Sequence, residues 1–290
     1  MVVAVTKVLA YLLLVTVDQQ RVPRKRTYLM CSPEHFAVEY AINPWMDVTA
    51  PVDPELAVKQ WDRLRETLVG LGHEVHLLAP EPGLPDMVFA ANGAFVVDGT
   101  VYGAQFKHHQ RAAEAAAHRA FYESQGWRFI APNETNEGEG DFAYLPEAHG
   151  GLVLAGYGFR TELPAHAEAQ EALGRPVISL RLIDPRFYHL DVALASIDDG
   201  NIVYYPGAFS AASQKVLAQL FPDAVLADDS DALAFGLNLV SDGANVVLNS
   251  EATRLAGRLR TAGYTPVPVE LAELKKGGGS VKCCIAELRH

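Results

Sequence analysis

The sequence predicts an α/β protein in which five similar units form a ring. Five stretches have the spacing of amphipathic helices, and each is followed by a glycine or proline and then by a short β-rich segment. The helical stretches end near residues 70, 126, 174, 222 and 263, so the repeat is about fifty residues long. Such a repeat favours a ring of five α/β blades over a doubly wound sheet.

The helices are predicted first, because their apolar residues recur at intervals of three and four. Asp53 followed by Pro54 is a typical helix start, with a capping side chain and a proline in the first turn. The five predicted helices cover residues 53–69, 110–125, 166–173, 210–220 and 250–262.

Short strands follow the helices, and hairpins fill the intervals. The strands after the helices are predicted at 75–78, 127–130, 177–180, 224–226 and 267–269. Aspartate-glycine pairs at 98–99, 199–200 and 242–243 lie between β-rich segments, which predicts three hairpins.

The two chain ends are predicted to complete one blade together. Residues 27–30 and 283–288 both read as strands, and pairing them would close the ring. Residues 27–290 are therefore expected to form a single domain, and residues 1–26 a poorly ordered or non-essential extension. The apolar run at 8–17 is too short to span a bilayer and lacks a signal-peptide cleavage site.

Composition limits the possible partners and location. The 290 residues carry 35 acidic and 24 basic side chains, a formal net charge of -11. An acidic chain disfavours nucleic acid or an anionic membrane as partner and suits a small cationic molecule. The 3 cysteines do not suggest a disulfide framework, which favours a cytoplasmic location. An exposed blade edge would support a homodimer, and neither a metal nor another cofactor is predicted.

A glycine-rich loop near the C-terminus is the strongest chemical signal. Three glycines at 277–279 precede Ser280, Val281 and Lys282, and two adjacent cysteines follow. Glycines allow unusual backbone conformations and close approach of a ligand, so a cysteine after them is a candidate nucleophile.

Two further segments supply candidate acids and bases. His189 and Asp191 alternate along a predicted strand, which would put the carboxylate beside the imidazole and raise its basicity. Glu137 and Asp141 lie in a glycine-rich acidic loop that suits a cationic ligand better than calcium. The segment 85–93 reads on its own as a turn, a strand and a second turn.

Taken in order, these segments resemble the guanidino-group modifying superfamily, whose pentein fold is a five-bladed α/β propeller around a central active site. The greatest resemblance is to bacterial arginine dihydrolases, and dimethylarginine dimethylaminohydrolase and arginine deiminase are also similar. The matching stretches are 30–36, 42–46, 85–92, 137–141, 155–160, 182–191 and 277–283.

The resemblance implies a role for each matching residue. Cys283 matches the nucleophile and His189 the general acid/base, with Asp191 beside it. Glu137 matches the acid that binds the guanidino group, while Asp141 is the second acid of that motif. The implied substrate contacts are Asn92, Asn43, Asp86, Phe89, Arg160, Asp141 and Gln105.

Asn92 and Gln105 determine which reaction the resemblance implies. Deiminases and dimethylaminohydrolases carry aspartate where this chain has Asn92, and a neutral amide can hold a neutral ureido intermediate for a second hydrolysis. We therefore expect hydrolysis of arginine to ammonia and ornithine through a covalent S-alkylthiouronium intermediate. Gln105 stands where the similar dihydrolases carry an arginine that contacts the substrate carboxylate. Three alternatives stay open: Arg111 or Lys107 compensates, Arg160 alone suffices, or the substrate is not free arginine.

Three alternatives remain open at this stage. The first is a dimethylarginine dimethylaminohydrolase that produces citrulline and dimethylamine. The second is an amidinotransferase, which would need an open route for an acceptor amine. The third is a non-catalytic binding protein with a pentein fold, which only Gln105 suggests.

Overall fold

A computed structural model describes residues 21–290, which form seven α-helices and fifteen short strands. The apolar run at 8–17 lies outside the described residues. The helices are α1 (Pro54–Gly70), α2 (Glu114–Ser124), α3 (Leu163–Leu173), α4 (Ala211–Leu220), α5 (Asp229–Leu233), α6 (Thr253–Thr261) and α7 (Ala272–Lys275). The strands are β1 (Thr27–Cys31), β2 (Glu74–Leu78), β3 (Ala94–Val97), β4 (Thr100–Gly103), β5 (Arg128–Ile130), β6 (Phe142–Leu145), β7 (Leu152–Tyr157), β8 (Val177–Arg181), β9 (Leu194–Ser196), β10 (Ile202–Tyr204), β11 (Val225–Leu226), β12 (Val240–Ser241), β13 (Asn245–Asn249), β14 (Thr265–Val269) and β15 (Ala286–Glu287).

The described strands form five three-stranded sheets of one pattern. In each sheet, the middle strand pairs antiparallel with one neighbour and parallel with the other. A helix connects the two parallel strands in every case, as such a crossover requires. The orders are β15-β1-β2, β3-β4-β5, β6-β7-β8, β9-β10-β11 and β12-β13-β14.

Most predicted elements are present with shifted ends. All five predicted helices form, and helix α1 begins as expected, with the Asp53 side chain accepting the Leu56 N–H at 3.0 Å. Helix α6 begins at Thr253 rather than near 250, and Ala252 occupies its capping position. All three hairpins with an aspartate-glycine turn are present. Sequence reasoning missed the hairpin β6–β7, whose turn contains His149 at a positive φ of 50°.

The two chain ends share a sheet, as predicted. Strand β15 pairs antiparallel with strand β1, with Tyr28 opposite Glu287. The predicted C-terminal strand at 283–288 is wrong in extent, because only Ala286–Glu287 is a strand. Cys283 and Cys284 lie in the turns before it, where Cys284 N–H donates to Val281 O at 3.2 Å.

Apolar side chains of the sheets and helices form the core. Trp61, Leu64 and Leu68 on one face of helix α1 are buried, and the middle strands β4, β7 and β13 are almost entirely inaccessible. In the part of the chain that the structure describes, no helix is long and apolar enough to cross a membrane.

Residues 21–26 precede the predicted domain but are ion-paired with it. Arg21 contacts Asp198 at 2.8 Å, and Arg26 contacts Asp199 at 2.6 Å. Arg24 also forms an ion pair with Asp199. The proposed domain start at residue 27 stays a prediction.

Deleting residues 1–26 is expected to lower the melting temperature by about 2–5 °C relative to deleting residues 1–20. The longer deletion leaves Asp198 and Asp199 without three arginine partners, whereas the shorter one keeps them. Thermal unfolding followed by circular dichroism measures the difference. Equal melting temperatures for the two truncated chains would show that residues 21–26 add nothing to stability.

Candidate active site

The loop that carries Cys283 is fixed by one buried asparagine. Asn238 Oδ1 accepts the N–H groups of Ser280 and Cys283, both at 3.1 Å, and its Nδ2 donates to Cys283 Sγ at 3.1 Å. The same Nδ2 donates to Asp191 O at 3.1 Å. Sequence reasoning missed Asn238, which belongs to no motif and lies 45 residues from the cysteine.

Glycines in this loop permit close packing against two predicted substrate contacts. Gly278 has a φ of +87°, and a Cβ there would lie 2.5 Å from Asn43 Oδ1. A Cβ at Gly279 would overlap the ring of Phe89. Asn43 Nδ2 donates to Gly277 O at 3.1 Å, so the structure places Asn43 and Phe89 directly on the cysteine loop.

Asp191 contacts the thiol instead of the imidazole. A 3₁₀ turn at Leu190–Val192 replaces the predicted strand, so His189 and Asp191 do not share one face. The Cys283 thiol donates to Asp191 Oδ2 at 3.2 Å. The expectation that Asp191 orients His189 is therefore wrong in geometry.

The Cys283 thiol holds its proton firmly in this arrangement. Burial, and then the neighbouring Asp191 carboxylate, raise the pKa of Cys283 well above its usual value. Burial also raises the pKa of Asp191 to about 6, although His189 and the thiol hydrogen bond oppose it. The thiol therefore needs a nearby cation before it can become a thiolate.

His189 is paired with Glu137. The distance from His189 Nε2 to Glu137 Oε2 is 2.8 Å, and both side chains are fully buried. Burial alone would raise the pKa of Glu137, but the charges of Arg160 and His189 outweigh it and hold that pKa well below its usual range. Glu137 is thus a carboxylate that orients the imidazole.

Arg160 forms an ion pair with the same carboxylate, that of Glu137. Its Nη1 donates to Glu137 Oε2 at 2.8 Å, and its Nη2 donates to Ile42 O at 2.8 Å. The guanidinium carbon lies 4.7 Å from the centre of the Tyr188 ring. The structure thus joins Glu137, His189 and Arg160 in one buried cluster.

Asp141 connects this cluster to the backbone. Its Oδ1 accepts the Leu190 N–H at 3.0 Å, and its Oδ2 accepts the Thr161 N–H at 3.1 Å. Those two residues directly follow His189 and Arg160 in the chain. Asp141 therefore fixes the segments that carry both side chains.

Asn92 joins the cluster from a third segment. Its Nδ2 lies 3.4 Å from Glu137 O, and the preceding Ala91 N–H donates to Cys283 O at 3.1 Å. Gly140 allows the approach, because a Cβ there would overlap the Asn92 amide and lie 3.2 Å from His189 Nδ1.

Arg111 determines which way the Asn92 amide faces. Arg111 Nη1 donates to Asn92 Oδ1 at 2.7 Å, while its Nε and Nη2 donate to Glu114 at 2.9 and 2.7 Å. Arg111 can only donate, so the amide must present its oxygen to Arg111 and its nitrogen elsewhere. Asp86 lies 3.9 Å from Arg111 Nε and accepts from Tyr40 at 2.9 Å.

Gln105 lies apart from these contacts. Its side chain is exposed and donates to Asn133 O at 3.2 Å, with no hydrogen bond to another candidate residue within 21–290. Its backbone pairs with Asn136, the residue before Glu137. Arg111, one of the two residues named as an alternative to the missing arginine, already bonds Glu114 and Asn92.

The chain is similar to two kinds of known enzyme, although no family model matches it. It is 54% identical to N(G),N(G)-dimethylarginine dimethylaminohydrolase from Mycobacterium tuberculosis over 269 residues, which cover 93% of this chain and 88% of that protein. It is 36% identical to the bifunctional arginine dihydrolase/ornithine cyclodeaminase ArgZ from Synechocystis sp., and the match covers 88% of this chain and 36% of that protein.

The fold agrees with a solved structure of the second relative. The N-terminal domain of an ArgZ variant, covalently bound to a reaction intermediate, superposes with a TM-score of 0.86 at 34% identity. The match covers 91% of this chain and 99% of that one. The chain belongs to the guanidino-group modifying superfamily, as its motifs predicted. Within that superfamily, it is similar in particular to a dimethylarginine dimethylaminohydrolase and to an arginine dihydrolase domain.

Changing Asp191 to Asn is expected to shift alkylation of Cys283 to lower pH. The Asp191 charge favours the protonated thiol, so removing it should lower the midpoint of the alkylation profile by about one pH unit. Burial still acts, so the midpoint stays above that of a free cysteine. Iodoacetamide labelling across pH, read at the Cys283 peptide by mass spectrometry, measures the midpoint.

The control is Asp62→Asn, which removes the same charge from helix α1 and should leave the profile unchanged. A midpoint that stays in place or rises in Asp191→Asn would contradict the assigned effect of this carboxylate.

Proposed function

We propose that the chain is a cysteine-dependent hydrolase of the guanidino group of arginine that releases ammonia and ornithine. One observation carries the proposal: a buried thiol–carboxylate pair, Cys283 with Asp191, and a buried imidazole–carboxylate pair, His189 with Glu137, both contact the segment Ala91–Asn92. Ala91 N–H donates to Cys283 O, and the Asn92 amide donates to Glu137 O. A nucleophile, a general acid/base and an acceptor for a cation are the groups that this reaction requires.

The proposed fold is a five-bladed propeller around this site. Its support is the common pattern of the five described sheets and the sharing of one sheet by β1 and β15. A cytoplasmic location and a homodimer also stay proposals, as does a single catalytic domain. The three buried free cysteines, Cys31, Cys283 and Cys284, are consistent with a reducing compartment.

In the first half of the proposed reaction, the cationic guanidino group binds beside Glu137. The positive charge lowers the pKa of the Cys283 thiol, which transfers its proton to the Asp191 carboxylate that it contacts. The sulfur forms a bond to the guanidino carbon, His189 donates a proton to the departing nitrogen, and that C–N bond breaks. Ammonia leaves, and an S-alkylthiouronium remains on Cys283.

In the second half, His189 takes a proton from water. The oxygen adds to the thiouronium carbon, the C–S bond breaks, and the product is the ureido compound citrulline. In a second round, the thiolate left by C–S cleavage attacks the ureido carbon while the His189 that took a proton from water serves as the nearby cation. His189 returns that proton to the departing nitrogen, the second ammonia leaves, and a thiocarbamate remains on Cys283. Its hydrolysis yields a carbamate that loses carbon dioxide to leave ornithine.

Asn92 supports retention of the neutral ureido group. Arg111 takes up the Asn92 oxygen, so the amide nitrogen remains as the donor on the side of Glu137. A hydrogen-bond donor suits a ureido oxygen, which a carboxylate at the same position would repel. This geometry supports two rounds of hydrolysis in place of release after one.

Hydrolysis of dimethylarginine to citrulline and dimethylamine is the second candidate. The observation that favours it is the 54% identity to a protein named for that reaction. Both candidates use the same nucleophile and acid/base, and they differ in the leaving amine and in whether citrulline is released or hydrolysed again. Incubation with arginine, dimethylarginine and citrulline, with ornithine, ammonia and dimethylamine measured, separates them. No turnover of any of the three would contradict both.

Replacing Cys283 with Ser is expected to lower kcat on the preferred substrate at least about 1,000-fold, because the nucleophilic sulfur is lost. Cys284→Ser should keep kcat within about threefold, since the Cys284 side chain is fully buried and makes no hydrogen bond with the other site residues between 21 and 290. Ammonia release under saturating substrate measures both. Equal losses would count against the choice of Cys283.

Replacing Asn92 with Asp is expected to lower the ratio of ornithine to citrulline about tenfold during arginine turnover. The new carboxylate would favour the charged guanidino group over the neutral ureido group, so citrulline escapes before the second round. Amino-acid analysis of the products gives the ratio. The control is Asn201→Asp in the hairpin β9–β10, which should keep the parent ratio, and an unchanged ratio in Asn92→Asp would contradict this role.

A further inference from the structure

The acid proposed to bind the substrate's guanidino group already binds a guanidinium of the chain itself. Glu137 Oε2 accepts from Arg160 Nη1 and lies at 2.8 Å from His189 Nε2. Glu137 Oε1 accepts from the backbone N–H of Lys107 at 3.3 Å. Both oxygens are therefore engaged, and the Arg160 guanidinium has the same chemistry as the group that the substrate would present.

A second guanidinium cannot bind well while Arg160 stays on Glu137. The pair is buried, with Arg160 3% exposed and Glu137 0%, so two cations at one carboxylate would repel each other with little screening. A guanidino ligand must therefore displace Arg160 or share the carboxylate at a large cost in affinity.

Arg160 has fewer side-chain partners than Arg111 to hold it in place. Glu137 is its only carboxylate partner among residues 21–290, and its other contacts are a hydrogen bond to Ile42 O and the face of Tyr188. Ile42 belongs to a segment without helix or strand. Arg111, by contrast, is held by two bonds to Glu114 and one to Asn92, and has no comparable freedom.

We propose that Arg160 is an internal competitor that makes the site selective for guanidino compounds bearing an anionic group. Such a ligand provides Arg160 with a new carboxylate partner when it takes Arg160's place on Glu137. A guanidino amine such as agmatine provides none, so the ion pair between Arg160 and Glu137 opposes its binding. The inference rests on the proposed function, in which Glu137 binds the guanidino group of the substrate.

The first test measures binding without turnover. In the Cys283→Ser background, Arg160→Met removes the competing charge and keeps much of the side-chain volume. The affinities for guanidinium chloride and agmatine should rise about tenfold, within the usual range of coupling between two ligands. The affinity for arginine should fall. Isothermal titration calorimetry measures all three.

Two further variants separate competition from structural damage. Arg186→Ala removes an exposed arginine paired with Asp184 and should leave every affinity unchanged. Arg160→Lys keeps a cation beside Glu137 and should keep guanidinium binding as weak as in the parent. If Arg160→Met unfolds, Arg160→Gln is compared with Arg160→Lys in the same assay, with circular dichroism as the check on folding.

The outcomes distinguish the two proposals. Arg160→Met or Arg160→Gln could instead bind guanidinium no better than the parent and bind arginine more weakly. That result would contradict competition by Arg160 and leave it as an ordinary substrate contact. Loss of arginine binding in the Cys283→Ser parent itself would contradict the proposed function instead. In the active enzyme, Arg160→Met should raise kcat/KM for agmatine and lower it for arginine, whereas damage to the fold would lower both.

Discussion

The buried charge of Glu137 is the interaction on which the arrangement of the site depends. A carboxylate removed from water is costly unless cations and hydrogen bonds surround it. Its partners come from separate parts of the chain: Arg160 follows strand β7, and His189 follows strand β8. Asp141 then accepts backbone N–H groups beside both. Neutralising one carboxylate therefore fixes the relative positions of His189 and Arg160.

The charge beside Cys283 has the opposite effect. Cations keep Glu137 ionised, whereas a carboxylate keeps the Cys283 thiol protonated. Cys283 lies beside Asp191, and in the absence of a cation this neighbour favours the protonated sulfur. A bound guanidinium would favour the thiolate, so nucleophile formation is coupled to substrate charge. Asn238 fixes the position of the sulfur beside Asp191, because it bonds the loop backbone as well as Sγ. In the proposed reaction, the Cys283 thiolate therefore forms when a guanidino group is bound in the site.

Sequence patterns were informative where local chemistry determines structure. Helical periodicity located all five repeated helices, and the aspartate-glycine pairs located three hairpins. The order of motifs also identified the superfamily. The contacts of Asp191 could not be predicted, since a 3₁₀ turn breaks the alternation on which its pairing with His189 was based. Asn238 was missed for another reason: a single asparagine carries no local signal, and its contacts with Cys283 are made only by the fold.

The orientation of Asn92 shows why residue type alone does not define specificity. An asparagine can offer either its oxygen or its nitrogen, and the two ends favour opposite ligands. Arg111 decides between them, because a guanidinium can bond only the oxygen, and Glu114 in turn holds Arg111 by two hydrogen bonds. The ion pair between Arg111 and Glu114 thus determines that Asn92 turns its amide nitrogen toward Glu137 O. In the proposed reaction, a neutral ureido group would bind the Asn92 amide that Arg111 and Glu114 orient, and a change in any of the three is expected to alter which product leaves.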